Sequence, residues 1–201
     1  MKTITKYFSS KKVKKIVELY KEFNTDILPK IISYSLTTPH PYIEFEWVNG
    51  QPIKKNNLKE AFIELGKFHK SNFIKNSAVG FSTLCHGDFH EQNIIESEHG
   101  ITLIDVTYLQ IGNNYSDLDY VDFFDWFPVS THPWMIKDEN YLTSYLKGIE
   151  LNASEKDIQR VKTFITNKAL HTCIKNGMKN NIDVALEKKL LSHLQHLTID
   201  V

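Results

Sequence analysis

Between residues 82 and 105 a polar loop, His86-Gly87-Asp88-Phe89-His90-Glu91-Gln92-Asn93, is framed by apolar runs. STLC leads into it, NIIE leads out, SEHG turns the chain back, and ITLI closes on Asp105. Short apolar runs bounded by turn residues predict a strand, a loop and then a tight hairpin. The hairpin carries Asp105 back toward a loop that already holds Asp88 and, five residues on, Asn93. Three oxygen-bearing side chains can converge there.

The rest of the chain supplies a frame. Val13, Ile16, Val17, Tyr20 and Phe23 form a helical stripe, so a helix is expected over residues 11–23 with Ser9 or Ser10 as its cap. IISYSL and YIEFEWV read as strands joined through TTPHP. A second helix is expected after Asn57, with Glu60 completing a capping box and Leu58, Ala61, Phe62, Leu65 and His69 as its buried stripe. Further helical patterns end near Gly148, open at Ser154 and open at Asp183. A strand, a helix and a hairpin followed by a mainly helical region predict an α+β, two-lobed plan.

Composition narrows the partners. Among 201 residues, 24 basic side chains balance 24 acidic ones, which removes any whole-molecule attraction to nucleic acid or an anionic membrane. No apolar run in the first 20 residues is long enough for a signal peptide or a span, and Cys85 and Cys173 lack the spacing of a zinc site or redox pair. The expectation is a cytoplasmic protein acting on a small molecule, with no nucleic-acid or membrane partner.

The loop suits phosphoryl transfer. That reaction has a loose transition state, so a protein mainly positions the nucleophile, binds magnesium and neutralises phosphate charge. Asp88 can accept the proton of an attacking hydroxyl, and Asn93 and Asp105 offer the hard oxygen donors magnesium prefers. A rival reading takes His86, Asp88 and His90 as an H-x-D-x-H metallohydrolase set, although the stretch before residue 86 offers no further D-x-H or H-x-H pair. Otherwise His86 is a structural histidine bonded to backbone, and His90 points to the phosphate or substrate cleft.

LCHGDFHEQNII followed by ITLID resembles the aminoglycoside phosphotransferase and choline kinase family, relatives of protein kinases, whose catalytic loop reads HGDxxxxN before a hydrophobic strand ending in Asp. YIEFEWVNG resembles that family's interlobe hinge, LGKFHK the end of one helix, and GNNYSDLDY its Gly-x-x-x-x-Asp-Leu segment, so the likeness spans residues 3 to 150. The resemblance implies a protein kinase-like fold, with a reduced amino-terminal lobe over residues 1–48 and a helical lobe over 49–201. It implies ATP and Mg²⁺ as cofactors and transfer of the γ-phosphoryl group to a small-molecule hydroxyl. Asp88 would be the base, Asn93 and Asp105 metal ligands, and Asp117 a brace for the loop. Backbone groups of Glu46, Trp47 and Val48 would meet adenine.

The family pattern is incomplete in places. No glycine precedes Gly50, so the glycine-rich hairpin that cradles phosphates is missing, through truncation or a naturally reduced lobe. Lys6 is the candidate for the strand lysine, with Glu18 first and Glu22 second as its helix partner. Thr107 stands where an acidic residue often follows the metal-binding Asp. A nucleotide-binding pseudokinase with little turnover is therefore the alternative function. On the substrate side the candidates are His90, Glu91, Asp122 and Trp126. The last two belong to an aromatic run, Tyr120 to Trp134, that reads either as core or as a wall for a cationic substrate.

Overall fold

The computed structural model describes residues 2–37, 39–118, 139–161 and 163. Asp122, Trp126 and the rest of the aromatic run, together with the helix expected at Asp183, lie outside the described residues. The chain divides into two compact units, 1–117 with 140–151, and 118–139 with 152–201. The expected lobe boundary at residue 48 falls inside the first unit, which also holds every described residue of the candidate site. In the second unit a helical segment runs over 155–161, entered by reciprocal bonds in which Ser154 Oγ accepts from the Asp157 amide and donates to the Asp157 carboxylate.

In the first unit, β1 (Thr3–Tyr7), β2 (Ile31–Ser35) and β3 (Tyr42–Glu46) form an antiparallel sheet in the order β1-β3-β2. Helix α1 (Ser10–Glu22) follows β1 and buries Val13, Ile16, Val17 and Leu19, while Tyr20 packs against Phe45 of β3. Ser9 is in an extended conformation, and its hydroxyl accepts from the Lys12 amide, satisfying one of the helix's orphan donors. The expected helix and hairpin are both present.

Strand β4 (Gln51–Pro52) leads through a 3₁₀ turn at Lys55–Asn57 into α2 (Leu58–Ser71). The capping box expected at Asn57 does not form. The 3₁₀ turn puts Asn57 in helical backbone space (φ −99°, ψ −1°), so its side chain cannot fold back on the first turn and instead donates to both Glu96 carboxylate oxygens at 2.7 and 2.9 Å. The apolar stripe of α2 buries Leu58, Ala61, Phe62, Leu65, Phe68 and His69.

Two further small sheets carry the loop. Strand β5 (Lys75–Asn76) pairs with β6 (Phe81–Cys85), which pairs with β9 (Gln110–Asn113). Strands β7 (Ile94–Ser97) and β8 (Gly100–Leu103) form the expected hairpin, and β4 pairs with β7. Helix α3 (Glu139–Gly148) lies against α2 at a glycine crossing. A Cβ on Gly66 would meet the Tyr145 carbonyl at 2.5 Å, and one on Gly148 would meet the Ile63 carbonyl at 2.2 Å, so the two backbones touch with no room for a side chain.

Candidate active site

The loop begins where β6 ends. Gly87 takes φ +80°, and a Cβ there would lie 2.3 Å from the Tyr108 carbonyl, so only glycine fits between the loop and the segment after Asp105. Two residues on, Phe89 is buried with its ring 5.1 Å from that of Phe62 on α2, which anchors the loop to the helix. Glu91–Asn93 forms a 3₁₀ turn, and the Ile104 amide donates to the Asn93 carbonyl at 2.8 Å, tying the loop to the far end of the β7–β8 hairpin.

These ties bring Asp88 and Asn93 together. The Asn93 Nδ2 lies 2.9 Å from Asp88 Oδ2, 3.0 Å from the Asp88 carbonyl and 2.9 Å from His90 Nε2. His90 Nε2 is also 3.5 Å from Asp88 Oδ2. The ring is therefore folded onto Asp88 and Asn93, where the sequence reading had it pointing to the cleft. Glu91 is part of the same turn, and burial raises its carboxyl above the usual range.

Asp105 sits two residues beyond β8 in left-handed backbone space, φ 60° and ψ 66°, a conformation that costs a non-glycine residue about 1–2 kcal/mol. Its Oδ1 accepts from the Lys6 ammonium at 2.8 Å, from the Thr107 hydroxyl at 2.6 Å and from the Thr107 amide at 3.3 Å. Burial opposes the charge, but the bonds from Lys6 and Thr107 outweigh it and hold the carboxyl below its ordinary range. All three of these bonds fall on Oδ1.

Lys6 therefore reaches the site through Asp105 and does not pair with Glu18. Glu18 lies on the exposed side of α1, 3.9 Å from Lys14. The physical reason is helical phase. Val13, Ile16, Val17 and Leu19 occupy the buried arc, and Glu18 falls outside it.

Behind the loop is a buried polar network. Asp117 Oδ2 accepts from the His86 amide at 2.6 Å, and Oδ1 accepts from the Gly87 amide at 2.7 Å. His69 Nε2 is 3.0 Å from Asp117 Oδ2, and its Nδ1 is 2.8 Å from the Tyr145 hydroxyl. Burial alone would raise the Asp117 carboxyl, yet the donors from His69 and the loop hold it low and ionised. His86 is fully buried, its Nε2 donates to the Ile104 carbonyl at 2.8 Å, and desolvation pushes its imidazole down toward the neutral form. Among the described residues, His86, Asp88 and His90 do not bring their ligand atoms together as a metal-capable group, so the H-x-D-x-H alternation forms no common site.

At the end of β3, the Glu46 amide donates to the Lys30 carbonyl at 2.9 Å and the Trp47 amide to the Lys2 carbonyl at 3.0 Å, with the Lys2 ammonium over the Trp47 ring. Val48 follows immediately. Sequence reasoning missed Thr107 as a partner of Asp105, Phe89 as an anchor, and Tyr145 and Asn114 behind His69. Thr107 carried a local signal, a hydroxyl two residues after an aspartate; Tyr145, 76 residues from His69, carried none.

No family model and no curated protein sequence matches the chain. Solved structures do. A choline kinase from Cryptosporidium parvum superposes with a TM-score of 0.56 at 13% identity, over 95% of this chain and 78% of its own. An aminoglycoside phosphotransferase from Alicyclobacillus acidocaldarius gives 0.57 at 11% identity, over 97% and 85%. An AMP-bound spectinomycin phosphotransferase gives 0.55 at 9% identity, over 98% and 84%. The α+β arrangement of this chain is the protein kinase-like fold that choline kinase and the aminoglycoside phosphotransferases share.

Proposed function

We propose that the chain is a small-molecule kinase that transfers the γ-phosphoryl group of ATP to a hydroxyl. The observation that supports it is the Asp88–Asn93 pair, tied through the Ile104 amide on the Asn93 carbonyl to the residue before Asp105, with Lys6 on Asp105 and Asp117 fixing the loop from behind. Asp88, a partly exposed carboxylate held by Asn93, is the base that orients the acceptor hydroxyl and takes its proton.

The donor set fits magnesium. Asn93 Oδ1 and Asp105 Oδ2 are both hard oxygens, and the bonds described above fall on Asn93 Nδ2 and Asp105 Oδ1. Bound there, the ion would neutralise charge on the phosphates. Lys6 adds a second positive charge beside Asp105. Adenine would meet the segment Glu46–Val48, where the Val48 amide and the carbonyls are the groups to read it, since the Glu46 and Trp47 amides are spent on Lys30 and Lys2. His90 and Glu91 border the acceptor side, and Asp122 and Trp126 are assigned to it from the sequence alone.

The second reading is a nucleotide-binding module with little turnover, favoured by Thr107 standing where an acidic residue would help hold a second ion. One experiment addresses both. Thermal unfolding is followed with and without ATP and magnesium on the wild type, Asp105→Asn and Asp88→Ala. Ligand at about 100 times its dissociation constant contributes about 2.7 kcal/mol, which raises the midpoint by roughly 5–10 °C in a chain of this size. A magnesium-dependent rise is expected in the wild type and in Asp88→Ala, and is expected to vanish in Asp105→Asn. ATP turnover should be lost in Asp88→Ala alone of the proteins that show the rise. A rise without wild-type turnover supports the binding module; no rise at millimolar ATP refutes both readings.

A further inference from the structure

The proposed reaction uses the amides of His86 and Gly87 only as backbone, yet both are aimed into one buried carboxylate, and that carboxylate is held by a side chain that a third residue holds in turn. Tyr145 is fully buried on α3. Its hydroxyl lies 2.8 Å from His69 Nδ1, 2.9 Å from Asn114 Nδ2 and 3.2 Å from the Asn114 carbonyl. Asn114 is itself fixed, its Oδ1 accepting from the Phe81 amide at 2.8 Å. The backbone under the ring is pinned too, because the Thr83 hydroxyl donates to the His69 carbonyl at 2.7 Å.

Resting on the kinase reading, we propose that Tyr145 is a positioning residue for the catalytic loop, acting through His69 and Asp117. The argument is one of donors and acceptors. Asp117 is ionised and accepts only, so His69 must present an N–H from Nε2. A neutral imidazole that does so has a bare lone pair at Nδ1, and a buried lone pair needs a donor. The Tyr145 hydroxyl is that donor, at 2.8 Å, while the Asn114 amide satisfies the phenol oxygen. If the ring carries both protons, the phenol oxygen accepts from Nδ1 and donates to the Asn114 carbonyl. In either state Tyr145 fixes which nitrogen faces Asp117. Burial also pushes the Tyr145 hydroxyl well above its usual range, so it keeps its proton throughout the working pH.

Removing that hydroxyl leaves Nδ1 with no partner in a dry site, and the ring recovers a bond only by turning. Turning lengthens the Nε2 bond to Asp117 Oδ2, the oxygen that the His86 amide also uses, and lets the carboxylate swing off the amides of His86 and Gly87, the two residues that precede Asp88. The consequence is a misplaced base with the nucleotide groups at Glu46–Val48 and Lys6 untouched. Turnover should suffer and nucleotide affinity should not.

The test uses Tyr145→Phe, which keeps the ring and its packing against Tyr115 at 5.9 Å and removes only the oxygen. ATP hydrolysis with water as acceptor is expected to fall about five- to tenfold, the rate equivalent of one hydrogen bond, with KM for ATP within about twofold. In ¹⁵N-labelled protein the His86 and Gly87 amide resonances should move while those of β1–β3 stay. Unmoved amides in a folded variant, or unchanged turnover, overturns the proposal. If Tyr145→Phe fails to fold, His69→Gln and His69→Ala ask the same question. Gln keeps an N–H near the Nε2 position and should retain more turnover, and equal loss in the two overturns the proposal. A wild-type protein that neither binds nor hydrolyses ATP refutes the kinase reading separately. The amide shifts then decide alone whether Tyr145 holds the loop.

Discussion

Asp117→Asn isolates what one buried carboxylate contributes. In the wild type this group is 1% exposed and accepts three hydrogen bonds, at 2.6 Å from the His86 amide, 2.7 Å from the Gly87 amide and 3.0 Å from His69. An asparagine keeps one acceptor oxygen and turns an NH₂ toward groups that also donate. Each bond to a charged acceptor contributes about 1.5–3 kcal/mol, and each buried donor left unsatisfied costs about 1–3 kcal/mol. Two bonds are weakened or lost at the oxygen that becomes nitrogen, for a gross loss of about 3–6 kcal/mol. Relief from burying a charge works the other way, so the lower end, about 3 kcal/mol, is the expectation.

For a chain of this length that loss lowers the unfolding midpoint by roughly 6–12 °C. Thermal melts by circular dichroism at neutral pH measure it. The pH dependence gives a second check. Asp117 has a folded pKa below its unfolded value, so its contribution is fully present above about pH 4 and is lost as pH falls through the folded pKa. The deficit of the variant should be constant from pH 8 to about 5 and should narrow below about pH 4. A variant melting within about 2 °C of the wild type at pH 7 would refute the reasoning, because the bonds would then return no more than the charge costs to bury.

Lys6→Met removes the ammonium from Asp105, so the Asp105 carboxyl should rise and its stabilising charge should be lost at higher pH on acidification. Both groups are partly exposed, so the unliganded protein should lose under about 1 kcal/mol at neutral pH, while the ATP-dependent rise in midpoint should disappear; a rise that survives argues against Lys6 as a nucleotide residue. Gly148→Ala forces a Cβ into the Ile63 carbonyl and the Gly66 Cα, backbone that cannot step aside, and should cost about 1–3 kcal/mol by overpacking. The same melts read it, and an unchanged midpoint would mean that α2 and α3 do not cross there.

What could be read from the sequence follows the range of the interactions. The Asp88–Asn93 pair is a five-residue feature, and the strands that return Asp105 are separated by a single turn, so spacing and turn chemistry were enough to gather them. Helix α1 was legible from its stripe and its serine cap, and the β2–β3 hairpin from alternation. The Asn57 cap was misread because the rule assumes that the residue before a helix is extended, and here a 3₁₀ turn runs straight into α2. The network behind the loop was partly legible. Asp117 came from the resemblance, but His69 looked like one more residue on an amphipathic stripe, since burial pattern does not reveal that a ring bonds at both nitrogens. Tyr145 and Asn114 lie 76 and 45 residues from His69, and nothing local marks them.

Lys6 shows how a correct residue can be assigned a wrong partner. The heuristic paired it with a glutamate on the following helix, but the stripe that defined the helix had already put Glu18 on its outer side. What remains for Lys6 is decided by strand register. It lies opposite Ile43 in the β1–β3 pairing, and residues opposite one another share a face of the sheet. Ile43 is buried, so Lys6 points inward, and an inward lysine needs an anion. Asp105 has the matching need, since partial burial disfavours leaving its charge bare. Each group thus offsets the other's cost, and the bond uses only one carboxylate oxygen. Under the kinase reading proposed above, a cation at Asp105 Oδ2 would not need to displace Lys6 from Oδ1, and both positive charges would stand beside the phosphates of the nucleotide.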